Sequence, residues 1–101
     1  MGPVTVRPGH RITQAMASHA EARVAELLSA LDEPVLDATV TLCVLPDKAL
    51  PRPARARVSV RLRGRRIRAH AQAASPHGAV ELLSEALADR LRRLGGPAAE
   101  G

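Results

Sequence analysis

The sequence contains no phenylalanine, tyrosine or tryptophan among its 101 residues. Its hydrophobic core must therefore be built from leucine, valine, isoleucine, methionine and alanine. Modules that read single-stranded RNA, such as RRM and OB-type domains, stack bases on aromatic side chains. Because that platform is missing here, the composition argues against base stacking and favours recognition of a nucleic acid through its phosphates and shape.

Cysteine and long apolar runs are also scarce. The single Cys43 excludes an internal disulfide and fits a reducing compartment. No segment approaches the roughly 20 apolar residues that span a bilayer. Residues 1–11 carry no apolar run typical of a signal peptide. These absences predict a cytoplasmic protein that does not act on a membrane.

Acidic residues are absent from residues 48–80, although the whole chain has ten. This segment carries one lysine and eight arginines, and the chain has a formal net charge of +5 and a pI of about 11.2. Within residues 54–62, arginines alternate with small or apolar residues, which is the period of a β-strand. We therefore expect a strand with one apolar face and one row of guanidinium groups, for which a polyanion is the natural partner.

The remaining periodicities predict four strands and two helices. Thr13 is the expected N-cap of the first helix, Ser75-Pro76 begins the second, and Gly95-Gly96 ends it. Gly64 fits a tight hairpin turn between the third and fourth strands. The expected strands are 4–7, 37–45, 54–62 and 66–73, and the expected helices are 13–31 and 75–94.

The order β-α-β-β-β-α predicts an α+β domain over residues 1–95, followed at 96–101 by a flexible tail or the start of a linker. The first strand, helix and second strand form a crossover unit, so the first two strands should be parallel. The other strands form a meander. Two amphipathic helices are expected to pack on one face of the four-stranded sheet, leaving the other face to solvent or a partner.

Three segments in this order resemble the ribosome hibernation-promoting factor family, also called the ribosome-associated inhibitor or sigma-54 modulation family. Residues 12–16 (ITQAM) are similar to the opening of the family's first helix, which would end here at Leu31-Asp32. Residues 64–71 (GRRIRAHA) are similar to its fourth-strand motif G-x-x-I-x-A-x-A. Residues 79–87 (AVELLSEAL) are similar to the helix that follows, and the similarity spans residues 4–94.

This resemblance implies a stress-response factor that binds the small ribosomal subunit and its rRNA, between head and body. Such a protein would inhibit translation by occluding the cleft for messenger RNA and tRNA, without chemistry. Three positions depart from the family pattern: Ser75 and His77 replace an acid and an aromatic residue, and Ala86 replaces a lysine often assigned to RNA contact. Long members add a dimerisation domain after a linker, so a short-type member and an N-terminal domain both stay open.

The candidate RNA-binding residues are all arginines. Each of them also has an explanation that involves no binding: a place on a solvated sheet face, an exposed helix charge, or a cation that complements the dipole at the end of the second helix. Arginines opposite one another on adjacent strands are unfavourable without an anion, which favours RNA contact. The candidates are Arg23, Arg55, Arg57, Arg61, Arg63, Arg65, Arg66, Arg68, Arg90, Arg92 and Arg93.

The sequence offers no catalytic or metal-binding set, so we expect neither an enzyme, nor a cofactor, nor a small-molecule substrate. Cys43 has no histidine or acid at a catalytic spacing, and His70 and His77 lack a third ligand at zinc spacing. Glu81 and Glu85 are expected on a solvated helix face. The alternative function is a protein-interaction or dimerising module of a larger stress factor, self-associating through the edge of the fourth strand.

Overall fold

The computed structural model describes the backbone of residues 4–100 and the side chains of residues 4–93. Its elements follow the predicted order, so the α+β class and the β-α-β-β-β-α arrangement are confirmed. The strands are β1 (Val4–Pro8), β2 (Val35–Val44), β3 (Ala54–Leu62) and β4 (Arg65–Ala73), and the helices are α1 (Gln14–Leu28) and α2 (Pro76–Glu100).

The four strands form one mixed sheet in the order β1-β2-β3-β4. Strand β1 is parallel to β2, as the crossover predicts, and the other neighbours are antiparallel. The register places Val6, Val40, Val58 and Ala69 side by side across the sheet. Because side chains alternate along a strand, this row and its equivalents give the sheet one continuous apolar face.

Both helices pack on that apolar face. Helix α1 contributes the buried Ala20 and Val24, and helix α2 contributes Leu83 and Leu87, to a single cluster with the inward residues of the strands. Complete burial of a leucine or valine side chain contributes about 1.5–3 kcal/mol. Apart from Ser84, whose hydroxyl donates to the Val80 carbonyl at 2.9 Å, the described buried residues are aliphatic. The opposite face of the sheet stays uncovered by the helices.

The helix caps and the hairpin turn lie at the residues that the sequence predicts. The Thr13 side chain accepts a hydrogen bond from the Met16 amide at 3.1 Å, and the Ser75 side chain accepts one from the Gly78 amide at 3.1 Å. Both helices therefore begin where the cap residues predict. Gly64 has φ of +77° in the turn between β3 and β4, a conformation that favours glycine.

The predicted end of the first helix at residues 31–32 is wrong, because α1 ends at Leu28. Ser29 caps it: its amide donates to the Ala25 carbonyl at 3.0 Å and its hydroxyl to the Glu26 carbonyl at 2.7 Å. A tight turn follows, in which the Leu31 amide donates to the Leu28 carbonyl at 3.1 Å. Leu31 still packs on the core, so its apolar spacing continues one turn beyond the helix.

The predicted stop at Gly95-Gly96 is also wrong, because α2 continues to Glu100. A glycine costs about 1 kcal/mol in a helix relative to alanine, which weakens a helix without terminating it. Residues 1–3 and 101 lie outside the described residues, and the division into a domain at 1–95 and a tail at 96–101 stays a prediction. No helix among the described residues is long and apolar enough to cross a membrane.

Adjacent leucines of α2 allow a direct test of the core. Leu83 is 0% exposed and Leu82 is 46% exposed. We expect Leu83→Ala to lower the free energy of unfolding by about 2–5 kcal/mol, through lost burial and a residual cavity. Leu82→Ala should stay within about 0.5 kcal/mol of wild type, because it opens no cavity. Denaturant unfolding followed by circular dichroism measures both, and equal losses would contradict the helix orientation.

Candidate nucleic-acid interface

The uncovered face of the sheet carries the arginines of β3 and β4. Along β3, Arg55, Arg57 and Arg61 are exposed while the residues between them are mostly buried. Along β4, Arg66 and Arg68 are exposed in the same way. We call this surface the outer face; it consists of these five arginines and the other outward residues of the four strands that lie beside them.

Hydroxyl side chains separate the arginines across the outer face. The register places Ser59 beside Arg68, and Thr41 between Arg7 and Arg57. A shallow groove of about 550 Å³ follows this surface. Guanidinium and hydroxyl groups both donate hydrogen bonds to phosphate oxygens, so the groove presents the donors that a phosphate backbone requires.

Two of the candidate arginines are neutralised within the chain at one end of the sheet. Arg61 donates from Nε to the Asp37 carboxylate at 2.9 Å, and this hydrogen bond, with the charge of Asp37, raises the pKa of Arg61. Arg65 pairs with Glu33. The acids come from outside the acid-free segment, since both lie just before or within β2. A phosphate would have to compete with these carboxylates.

The other arginines of the hairpin have no such competitor. Among the side chains of residues 4–93, no carboxylate pairs with Arg55, Arg57, Arg63, Arg66 or Arg68. Arg66 also lies directly opposite Arg61. Like charges opposed on neighbouring strands are destabilising, and Asp37 offsets only one of these two, so an anion beside Arg66 would stabilise this part of the face.

The helical candidates lie on the opposite layer of the molecule. Arg92 and Arg93 both pair with Asp89, at 3.1 and 3.0 Å, and Arg90 is exposed. Their predicted position in the last turn of α2 is wrong, because the helix continues to Glu100 and has no basic residue in its last turn. The dipole interpretation therefore does not apply to them.

Arg23 belongs to a cluster that the sequence did not reveal. It pairs with Glu26 at 3.1 Å and with Glu81 of α2 at 3.5 Å. Glu81 also bonds His19 Nε2 at 3.1 Å, and the rings of His19 and His77 stack with their centroids 5.1 Å apart. We call His19, Arg23, His77 and Glu81 the interhelix cluster, since it joins α1 to α2.

The interhelix cluster corrects the expectation that Glu81 lies on a solvated helix face. Glu81 is not a free solvated acid: its hydrogen bond with His19 lowers its pKa, opposed by partial burial and assisted by the charges of Arg23, His77 and His19. His70 lies on the outer face and does not belong to this cluster. The i, i+4 spacing of His77 and Glu81 was visible in the sequence, but their contact with His19, 62 residues from Glu81, was not.

Comparison with known proteins gives one family. The family model described as sigma 54 modulation protein / S30EA ribosomal protein matches residues 5–96 of the chain. Among curated proteins, a search found no match.

Solved structures share the fold, and two of them show the extent of the likeness. The N-terminal domain of Protein Y from Thermus thermophilus is 24% identical, with a TM-score of 0.71 over 92% of this chain and 99% of that one. A ribosomal subunit interface protein from Coxiella burnetii is 18% identical, with a TM-score of 0.70 over 88% of this chain and 94% of that one. At these identities the likeness shows the fold alone.

The Asp37 carboxylate should relieve the repulsion between Arg61 and Arg66. We expect Asp37→Asn to lower the thermal midpoint at low ionic strength, and added salt to remove most of the difference by screening the two arginines. Asp47→Asn is the matched control, because the Asp47 side chain accepts from the Ala49 amide and pairs with no arginine among the described side chains. Scanning calorimetry at two salt concentrations tests this, and a salt-independent loss would contradict it.

Proposed function

This chain belongs to the sigma 54 modulation protein / S30EA ribosomal protein family, and from that membership we propose that it is a ribosome-binding translation inhibitor. Its target is the small ribosomal subunit, in the cleft that messenger RNA and tRNAs use. The protein acts there by occupying space, in the cytoplasm and under stress, and it carries out no reaction.

The observation that carries this proposal is the set of unneutralised arginines on the outer face. Arg55, Arg57, Arg66 and Arg68 project from two adjacent strands and have no carboxylate partner among the described side chains. Each guanidinium can bind a phosphate in a bidentate manner, which a lysine cannot do. Each neutralised phosphate releases counterions, so binding to rRNA is strong at low salt and weakens as salt rises.

The ion pairs rank the candidate arginines. The first group comprises the outer-face arginines without a carboxylate partner, together with Arg63 in the turn and Arg90. These side chains can bind phosphate without breaking an ion pair within the protein. Arg23, Arg61, Arg65, Arg92 and Arg93 must first exchange a carboxylate for a phosphate, so their contribution to affinity is smaller. Ala86 is half-buried on α2 and offers no cation, which leaves the outer face to provide the main contact.

A sedimentation experiment compares ribosome binding of two double variants, one on the outer face and one on α2. The variant Arg66→Gln/Arg68→Gln removes two unpaired charges from β4, and Arg92→Gln/Arg93→Gln removes two charges already paired with Asp89. We expect the wild-type protein to pellet with small ribosomal subunits. The β4 variant should bind more weakly, with a salt slope smaller by about two. The α2 variant should stay close to wild type.

Two outcomes of this experiment would count against the proposal. If the wild-type protein does not pellet with ribosomes at low salt, ribosome binding is wrong. If the α2 variant loses as much affinity as the β4 variant, ribosome binding survives but the outer face is not the interface.

An interaction module is the second candidate, favoured by the free edge of the sheet. Strand β4 is an edge strand of nine residues, and its outer backbone groups have no neighbouring strand in the described chain. If this edge serves self-association, the elution volume in size-exclusion chromatography should fall as protein concentration rises. We expect a constant monomer volume, because the arginines of β4 repel a second copy at low salt.

A further inference from the structure

The interhelix cluster brings together three potential metal ligands that the proposed function does not use. The nearest ligand atoms of His19, His77 and Glu81 all lie within 4.8 Å of one another. His19 comes from α1, whereas His77 and Glu81 are one turn apart on α2. All three side chains reach solvent, since His77 is exposed and the others are half-buried.

We propose that His19, His77 and Glu81 bind a divalent transition-metal ion of the zinc class, and that this ion clamps α1 to α2. Two imidazole nitrogens and one carboxylate oxygen are a set that zinc accepts with a fourth position left to water. Calcium and magnesium prefer oxygen ligands alone, so the two imidazoles select against them.

The separations are close to those that a metal needs. Tetrahedral zinc holds nitrogen and oxygen ligands at about 2.0–2.2 Å, which places them about 3.3 Å from one another. His19 Nε2 and Glu81 Oε2 are already 3.1 Å apart. The widest pair, at 4.8 Å or less, has to close by about 1.5 Å, a distance within reach of side-chain rotation at the exposed His77.

Arg23 is the group that opposes a cation at this site. It lies 3.5 Å from Glu81, but it also pairs with Glu26 at 3.1 Å on its own helix. When a metal takes the Glu81 carboxylate, Arg23 keeps an acidic partner and need not become an unpaired charge. The competition lowers metal affinity without abolishing it, and replacing Arg23 should strengthen binding.

Binding of the ion should stabilise the fold, because the three ligands come together only when both helices are packed. A ligand that binds the folded chain alone raises stability in proportion to the logarithm of its concentration above the dissociation constant. The metal would therefore act on the helical layer, on the side of the sheet opposite to the outer face.

The test titrates zinc chloride into the full chain at near-neutral pH, with isothermal calorimetry and the thermal midpoint as readouts. We expect one zinc per chain, a midpoint that rises with zinc and returns on addition of a chelator, and no comparable effect of magnesium. His77→Gln and Glu81→Gln should each weaken binding by at least about tenfold. His70→Gln is the matched control, since His70 lies on the outer face, and it should bind as wild type does.

Cobalt(II) supplies an independent spectroscopic readout of the same site. The wild-type protein should develop the intense visible absorption of a tetrahedral cobalt centre, and zinc should displace it. Circular dichroism of the metal-free variants checks that each is folded; if one is not, the other ligand variant carries the same test. The proposal is overturned if zinc does not bind stoichiometrically or if one metal binds per two chains. It is also overturned if His70→Gln loses as much zinc affinity as the ligand variants do.

Discussion

The structure depends on packing two helices against a sheet without any aromatic side chain. With no aromatic ring to fill space, Leu83, Leu87 and Val24 must interlock with the small residues of the strands. Because the sheet has one apolar face, both helices lie on it, and the interior between them is closely packed. This arrangement brings α1 and α2 into contact with each other and leaves the outer face to the arginines.

The ion-paired and the unpaired arginines lie in different parts of the molecule. Acidic residues pair with arginines at the helices and at or just before the start of β2, while the middle of the β3–β4 hairpin is left basic. The hairpin therefore carries a cluster of positive charges that no carboxylate among the described side chains offsets. A concentrated field attracts a polyanion from a distance and orients the protein before contact, which a uniform charge would not do.

The sheet was the most predictable part of the molecule because its signals are local. Alternation in β3, glycine at position 64 and the caps at Thr13 and Ser75 each depend on a few neighbouring residues. The helix ends were harder, since Leu31 keeps the helical apolar spacing outside the helix and glycines only weaken α2. Contacts between distant segments, such as Asp37 with Arg61 or His19 with Glu81, depend on packing that no local pattern contains.

The alternation along β3 has a consequence for folding fidelity. Each residue of β3 faces either the helices or the outer face, so a shift of one position against β2 or β4 would turn Arg55, Arg57 and Arg61 towards the core. Burying even one unpaired guanidinium is far more costly than losing a methylene contact. The arginines thus raise the free energy of any slipped pairing of β3, and they favour the native register before any ligand is bound.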